Sequence, residues 1–263
     1  WNLVNLAFLV GFDSAGNPQV PNFSSHGDFA QIATDIAFCQ SKGVKILLSI
    51  GGATGSASQS VNAGSAVTAA DNIWNQYLGG SSANRPFGTA VLDGIDLDIE
   101  NADTGNTAWS TFVGRLRTKF ATTPARKYYV AAAPQCPLPD AALGPNGGLA
   151  LSASQVDLIF IQFYNNFCSV EGGSYNMGAW MSAMVGTASA NAKLFVGVPA
   201  SPQAAGSGYI TNVATLNARI NSDAAAYGSR FGGVMTWDAG LAGVNGAYWD
   251  SVRANMAGKT CVL

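Results

Sequence analysis

The chain has 263 residues, 48% apolar and only 11% charged, with a formal net charge of −2. That length carries one large domain or two small ones, and the apolar share supplies a sizeable core and excludes a disordered chain. A near-neutral balance without a basic run excludes nucleic acid and anionic membrane surfaces as partners, and no apolar run approaches the ~20 residues that cross a bilayer.

Residues 3–9 form the first predicted strand. A helical stripe follows, with Phe29, Ile32, Ala33, Ile36 and Gln40 at 3–4 spacing, ending near Gly43. The second strand is 44–50, with Gly51-Gly52-Ala53-Thr54-Gly55 as the turn after it. Ile73, Trp74 and Tyr77 mark a second helix, stopped by Gly79-Gly80. Residues 91–99 are the third strand. Trp109, Phe112, Val113, Leu116 and Phe120 make the third helix, with Thr107 as its candidate N-cap. Strands at 128–133, 158–164, 194–198 and 232–237 follow, with helical patterns at 180–185, 216–226 and 248–256.

Several of these strands are almost continuously apolar, as parallel strands covered by helices are. Repeated β/α units over the whole chain predict an α/β fold of the (β/α)₈ barrel type, with residues 1–263 as one domain. Seven strands are visible where a closed barrel has eight. A doubly wound sheet is the rival, but the Gly51–Gly55 turn is not GxGxxG, and no acidic partner marks a ribose site.

The four cysteines, Cys39, Cys136, Cys168 and Cys261, lack CxxC spacing, and His26 is the single histidine, so a zinc site is not expected, and no motif points to a cofactor. Low charge, abundant Gly and Ser and an even cysteine count suit an oxidising, extracellular or cell-wall compartment. The sequon Asn22-Phe23-Ser24 adds weak support, and the start at Trp1 suits a processed product.

The third strand carries the chemistry. In "VLDGIDLDIEN" (91–101), Asp96, Asp98 and Glu100 alternate with Ile95, Leu97 and Ile99. Residues two apart on a strand share a face, with Cα atoms about 6.5–7 Å apart. In a barrel the apolar set faces the helices and the acids face the lumen, climbing toward the C-terminal mouth. Acids this close cannot all ionise, so one of them holds a proton near neutral pH, as cleavage of a glycosidic bond requires. Two alternatives stay open: a solvated edge face, which the apolar flanks disfavour, and a divalent cation site, which a regular strand suits poorly.

The stretch Asp93-Gly94-Ile95-Asp96-Leu97-Asp98-Ile99-Glu100 resembles the DxxDxDxE signature of family 18 glycoside hydrolases. The likeness to their class III, hevamine-like plant and fungal members runs along nearly the whole chain. It includes "VNLAFL" (4–9), "KILLSIGGATGS" (45–56), "AAAPQCPLPD" (131–140), "IFIQFYNN" (159–166) and "FGGVMTWD" (231–238). The resemblance implies a barrel that hydrolyses β-1,4 bonds between N-acetylglucosamine units of chitin, with retention and with the substrate's N-acetyl group as nucleophile. It makes Glu100 the general acid/base, Asp98 the group that orients the acetamido N–H, Asp96 its hydrogen-bonding partner, and Tyr164 a contact of the acetamido oxygen. Trp237 would lie under the sugar at the cleavage point. Gln162, Gly51, Gly52, Ala53, Phe8 and Asn165 would complete the substrate-binding surface, and Cys136 and Cys168 would pair as a disulfide. Asp93, out of parity with the acids, reads as structural support. A secreted monomer acting on chitin or chito-oligosaccharides is expected.

The match breaks in places. The family has a further strand and helix before the first one visible here, so an N-terminally incomplete barrel is expected. Cys39 matches a cysteine whose partner lies in that helix, which leaves its pairing, and that of Cys261, open. Val10 stands where relatives carry an asparagine. Rival readings are a non-catalytic carbohydrate-binding or inhibitor protein on the same barrel, and a family member acting on other glycans.

Overall fold

The computed structural model describes residues 1–19, 28–53, 61–100, 107–144 and 149–259. All seven predicted strands are present: β1 (Leu3–Leu9), β2 (Lys45–Gly51), β3 (Gly94–Asp98), β4 (Tyr129–Ala132), β5 (Leu158–Gln162), β6 (Lys193–Pro199) and β7 (Phe231–Trp237). They make one all-parallel sheet in sequence order. Helices α1 (Phe29–Ser41), α2 (Ala66–Tyr77), α3 (Ala108–Phe120), α4 (Leu149–Ala153), α5 (Met177–Ala183) and α6 (Val213–Tyr227) fall between consecutive strands, and α7 (Ala239–Val244) and α8 (Gly246–Met256) follow β7. Asp28 caps α1 by accepting from the N–H groups of Ala30 and Gln31. Thr107 occupies the N-cap position of α3 but makes no side-chain cap bond.

Seven parallel strands laid flat would separate the outer two by roughly 29 Å at the usual spacing of about 4.8 Å. Yet the rings of Phe8 on β1 and Trp237 on β7 stack with centroids 5.5 Å apart. The sheet therefore curls round on itself, in a barrel-like form. Its two faces carry separate cores. Outside, Ile46, Leu48, Ile95, Leu97, Val130, Ile159 and Val196 pack with Ile73, Phe112, Trp180 and Leu216 of the helices. Inside, Leu47, Tyr129, Leu158, Phe160 and Phe195 fill the lumen, with Leu3 and Met235 against them. This is the in/out alternation of a parallel barrel wrapped by helices.

Among the described residues β1 and β7 are not hydrogen-bonded to each other. Residues 3–8 of β1 and 234–237 of β7 are only half-buried, while β3, β4 and β5 are buried throughout. Among the described residues no helix is long and apolar enough to cross a membrane. The sequon Asn22-Phe23-Ser24, His26, the Thr54-Gly55 end of the glycine turn and Cys261 lie outside the described residues.

Candidate active site

Asp96 and Asp98 are on the lumen face of β3, opposite Ser49 and Gly51 of β2 in the sheet register. Asp96 is 2% exposed and Asp98 7%. Ser49 Oγ donates to Asp96 Oδ2 at 2.7 Å, and Asp96 Oδ1 is buried with no hydrogen-bond partner among the described residues. Gln162 Nε2, from the end of β5, donates to Asp98 Oδ1 at 2.8 Å and to the Ala133 carbonyl at 2.9 Å. The third acid departs from the regular row. β3 ends at Asp98, so Glu100 lies two residues beyond the strand as an exposed residue at the mouth. The reason is lost pairing: the β4 partner of β3 runs out at Leu97 and the β2 partner at Asp98. Tyr164 likewise lies two residues past the end of β5 rather than on it, and is buried.

The electrostatics follow from burial. Burial lifts Asp96 to about 7, opposed by the Ser49 hydrogen bond. Asp98 is held well above the usual carboxylate range, first by burial and then by the charges of Asp96 and Glu100. The Gln162 bond opposes this, and Asp140 adds a smaller push upward. Glu100 is raised too. It counts as exposed by surface area, yet the walls of the mouth displace enough water that burial leads, with the charge of Asp140 second. The Tyr164 hydroxyl is pushed up by burial and then by Asp98, Glu100 and Asp96, which puts it within electrostatic reach of all three acids.

Trp237 is the last residue of β7 and stacks on Phe8 at an interplanar angle of 24°. The glycines serve this packing. Gly51 has φ +113°, and a Cβ there would stand 2.2 Å from the Asp98 carbonyl oxygen; Gly52 has φ +81°, and its Cβ would stand 2.7 Å from the Phe8 ring. The close approach expected between these glycines and a sugar chain is thus already made to β3 and Phe8. Ala53, next along, is exposed. Asn165, also exposed and at φ 55°, turns its Oδ1 to the Ser207 N–H at 3.1 Å, joining the loops after β5 and β6; among the described residues no hydrogen bond ties it to the acids.

Cys136 and Cys168 form a disulfide with Cα atoms 5.9 Å apart, linking the loops after β4 and β5. Among the described residues Cys39 has no disulfide partner. Asp93 accepts from Gln40 Nε2, from the Ile46 N–H and from Arg126, a bracing role at the N-terminal end of β3. Among the described residues no cluster of three His, Cys, Asp or Glu side chains is arranged to hold a metal ion. Sequence reasoning missed Asp140, a buried acid whose charge acts on Asp98 and Glu100.

A curled parallel sheet wrapped by helices, with a row of acids at the C-terminal ends of its strands, is the arrangement of a (β/α) barrel whose site opens at that mouth. The chain belongs to the family described as glycosyl hydrolases family 18, whose sequence profile matches residues 2–215. It is 40% identical over 257 residues to "Chitinase 2" of Rhizopus oligosporus, covering 93% of this chain and 45% of that one. The chain thus spans less than half of that relative's length. It is 39% identical over 268 residues to the "Acidic endochitinase" of Nicotiana tabacum, covering 97% of this chain and 84% of that one. Among solved structures, the ICChI chitinase from Ipomoea carnea superposes with TM-score 0.78 at 30% identity, covering 99% of this chain and 91% of the other. The xylanase and alpha-amylase inhibitor protein XAIP-II from Scadoxus multiflorus superposes with TM-score 0.77 at 33% identity, covering 97% and 87%.

Proposed function

We propose that this chain hydrolyses the β-1,4 bonds between N-acetylglucosamine units of chitin, with retention at the anomeric carbon. The observation that carries the reading is the acid row itself: buried Asp96 and Asp98 of raised proton affinity, leading to Glu100 at the open mouth. In this reading Glu100 enters the reaction protonated and gives its proton to the glycosidic oxygen as that bond breaks. The carbonyl oxygen of the substrate's own acetamido group attacks the anomeric carbon and closes an oxazolinium ring. Asp98 accepts the acetamido N–H and offsets the ring's positive charge, while Asp96 and Gln162 hold Asp98 in place. Tyr164 contacts the acetamido oxygen, and the sugar lies on Trp237, whose ring is backed by Phe8. Ionised Glu100 then takes a proton from water, which opens the oxazolinium ring from the face the leaving group vacated and returns Glu100 to its acid form.

Time-resolved analysis of products from a chitin hexamer tests the reading. The first reducing end released is the β-anomer; an initial α-anomer would sink the retaining mechanism. Glu100→Gln should lower turnover at least about 10³-fold while leaving oligosaccharide binding close to that of the wild type. The inhibitor-like neighbour supports a second reading, a non-catalytic binder on the same fold. Against it, the sequence keeps Asp96, Asp98, Glu100, Tyr164 and Trp237, and release of reducing sugar separates the two. The disulfide, in a chain of low charge, supports folding in an oxidising, extracellular compartment. The single seven-stranded sheet that runs through the chain supports one catalytic domain.

A further inference from the structure

Tyr164 and Asn165 are neighbours in the loop after β5, but Tyr164 is buried and Asn165 exposed. Asn165 holds φ 55°, in the left-handed region that asparagine enters more readily than most side chains. Ser207, in the loop after β6, meets it there from both ends. The Asn165 N–H donates to the Ser207 carbonyl at 3.2 Å, and Asn165 Oδ1 accepts from the Ser207 N–H at 3.1 Å. One asparagine and one peptide thus close a two-way clasp between the loops after β5 and β6.

The clasp lies directly beside Tyr164. Gly208, the residue after Ser207, has φ +94°, and a Cβ on it would stand 2.7 Å from Tyr164 Cα and 2.8 Å from Tyr164 Cβ. Only glycine allows that approach. From the loop after β4 a second restraint arrives: Asn166 Nδ2 donates to the Tyr164 carbonyl at 3.2 Å and to Gln135 Oε1 at 3.0 Å. Two loops from neighbouring strands therefore hold the backbone of Tyr164, one through Asn165 and one through Asn166. We propose that Asn165 is a positioning residue for Tyr164: its clasp on Ser207 seats Gly208 against the tyrosine and so fixes where the phenol meets the substrate. In this reading Asn165 acts on the sugar only through Tyr164. The inference rests on the acetamido contact given to Tyr164 in the proposed reaction.

A double-mutant cycle on cleavage of a chitin hexamer tests it. Asn165→Gly keeps the positive φ and removes only the side-chain half of the clasp. A misplacement of about 1 Å in a site can cost up to roughly 10²-fold, so loss of one of several restraints should lower kcat about tenfold and leave KM little changed. Asn165→Asp tolerates the same backbone and keeps an oxygen for the Ser207 N–H, so it restores most of the rate. In a Tyr164→Phe background, where the hydroxyl to be positioned is gone, Asn165→Gly should cost nothing more. A merely structural role lowers kcat by the same factor in both backgrounds, and that result would overturn the proposal, as would an unchanged kcat in Asn165→Gly. Should Asn165→Gly fail to fold, Gly208→Ala enters the same cycle from the other loop, with the same two outcomes. A wild type that cleaves no chitin oligomer sinks the reaction assigned above; a working wild type with equal factors in the two backgrounds sinks Asn165 alone.

Discussion

Gln162 Nε2 reaches Asp98 Oδ1 at 2.8 Å from a strand that is not its neighbour, because β4 lies between β5 and β3. The bond is possible because β4 and the residue after it present Ala131 and Ala133 to the lumen, and methyl groups leave room for the longer side chain to pass over them. The same amide donates to the Ala133 carbonyl, so one side chain ties three strands together. Gln162→Leu keeps the bulk and removes both donors. It leaves a buried carboxylate oxygen and a carbonyl unpaired, at about 1–3 kcal/mol for each orphaned group. Urea unfolding should show that loss. Asp98 should also gain proton affinity, because the Gln162 bond is what opposes burial there. An unchanged urea midpoint would mean that the bond contributes nothing.

Asp96 gives the fold a pH dependence of definite sign. Its carboxyl titrates at about 7 in the folded chain against an ordinary 3.8. Between those values the folded state binds more protons than the unfolded one, so stability falls as pH rises. The contribution is fully present below about pH 4 and is lost by the time the pH has passed through 7. Its size is on the order of a few kcal/mol. Asp98 acts in the same direction. Asp96→Asn has no such proton to lose, so its stability should vary less over pH 4 to 7 than that of the wild type. Denaturant midpoints at several pH values check this, and parallel curves for the two proteins would refute it.

Much of this was legible before any coordinates. The seven strands stood out by their apolar runs, most of all β3, β4 and β5, which are buried throughout, and the parity of β3 separated Asp96 and Asp98 from Ile95, Leu97 and the bracing Asp93. The ends of elements were less legible. Apolar Val91 and Leu92 read as strand, but the sheet register begins only at Gly94. Helices α4 and α7 escaped notice because they are only 5 and 6 residues long and too short for a 3.6-residue period to emerge. Asp140 escaped for another reason. It sits in a turn within "PLPDAAL", and only the parallel pairing of β4 with β3 brings that turn to the end of the sheet that carries the acids. The purpose of Gly51 and Gly52 was also hidden, since their close neighbours belong to other strands.

Gly51 and Gly43 make a paired test of that last point. Both have positive φ, but a Cβ on Gly43 would meet nothing within 4 Å, while one on Gly51 would stand 2.2 Å from the Asp98 carbonyl oxygen. Gly43→Ala bears only the backbone term, about 1 kcal/mol. Gly51→Ala must also force β2 and β3 apart at the level of Asp98, and should cost several kcal/mol while impairing turnover. Thermal melting of the two variants distinguishes the causes. Equal losses would show that backbone conformation alone makes glycine necessary at 51.

The Cys136–Cys168 bridge should matter more to stability than to the shape of the site. It closes a loop of 32 residues, for which lost unfolded-state entropy amounts to about 3–4 kcal/mol. Yet the rim at Cys136 is held independently of its sulfur. Its carbonyl accepts from Asn176 Nδ2 at 2.8 Å and Trp180 Nε1 at 3.0 Å, and its N–H donates to the Gln162 carbonyl. Those bonds survive replacement of both cysteines by alanine, so Gln162 and its grip on Asp98 stay in place. The double variant should therefore unfold at a clearly lower urea concentration while its KM for a chitin hexamer changes little. The wild type with added reductant should unfold at the same lower concentration. If KM rose in step with the loss of stability, the bridge would be needed to shape the mouth, and the hydrogen bonds around Cys136 would be too weak to hold it.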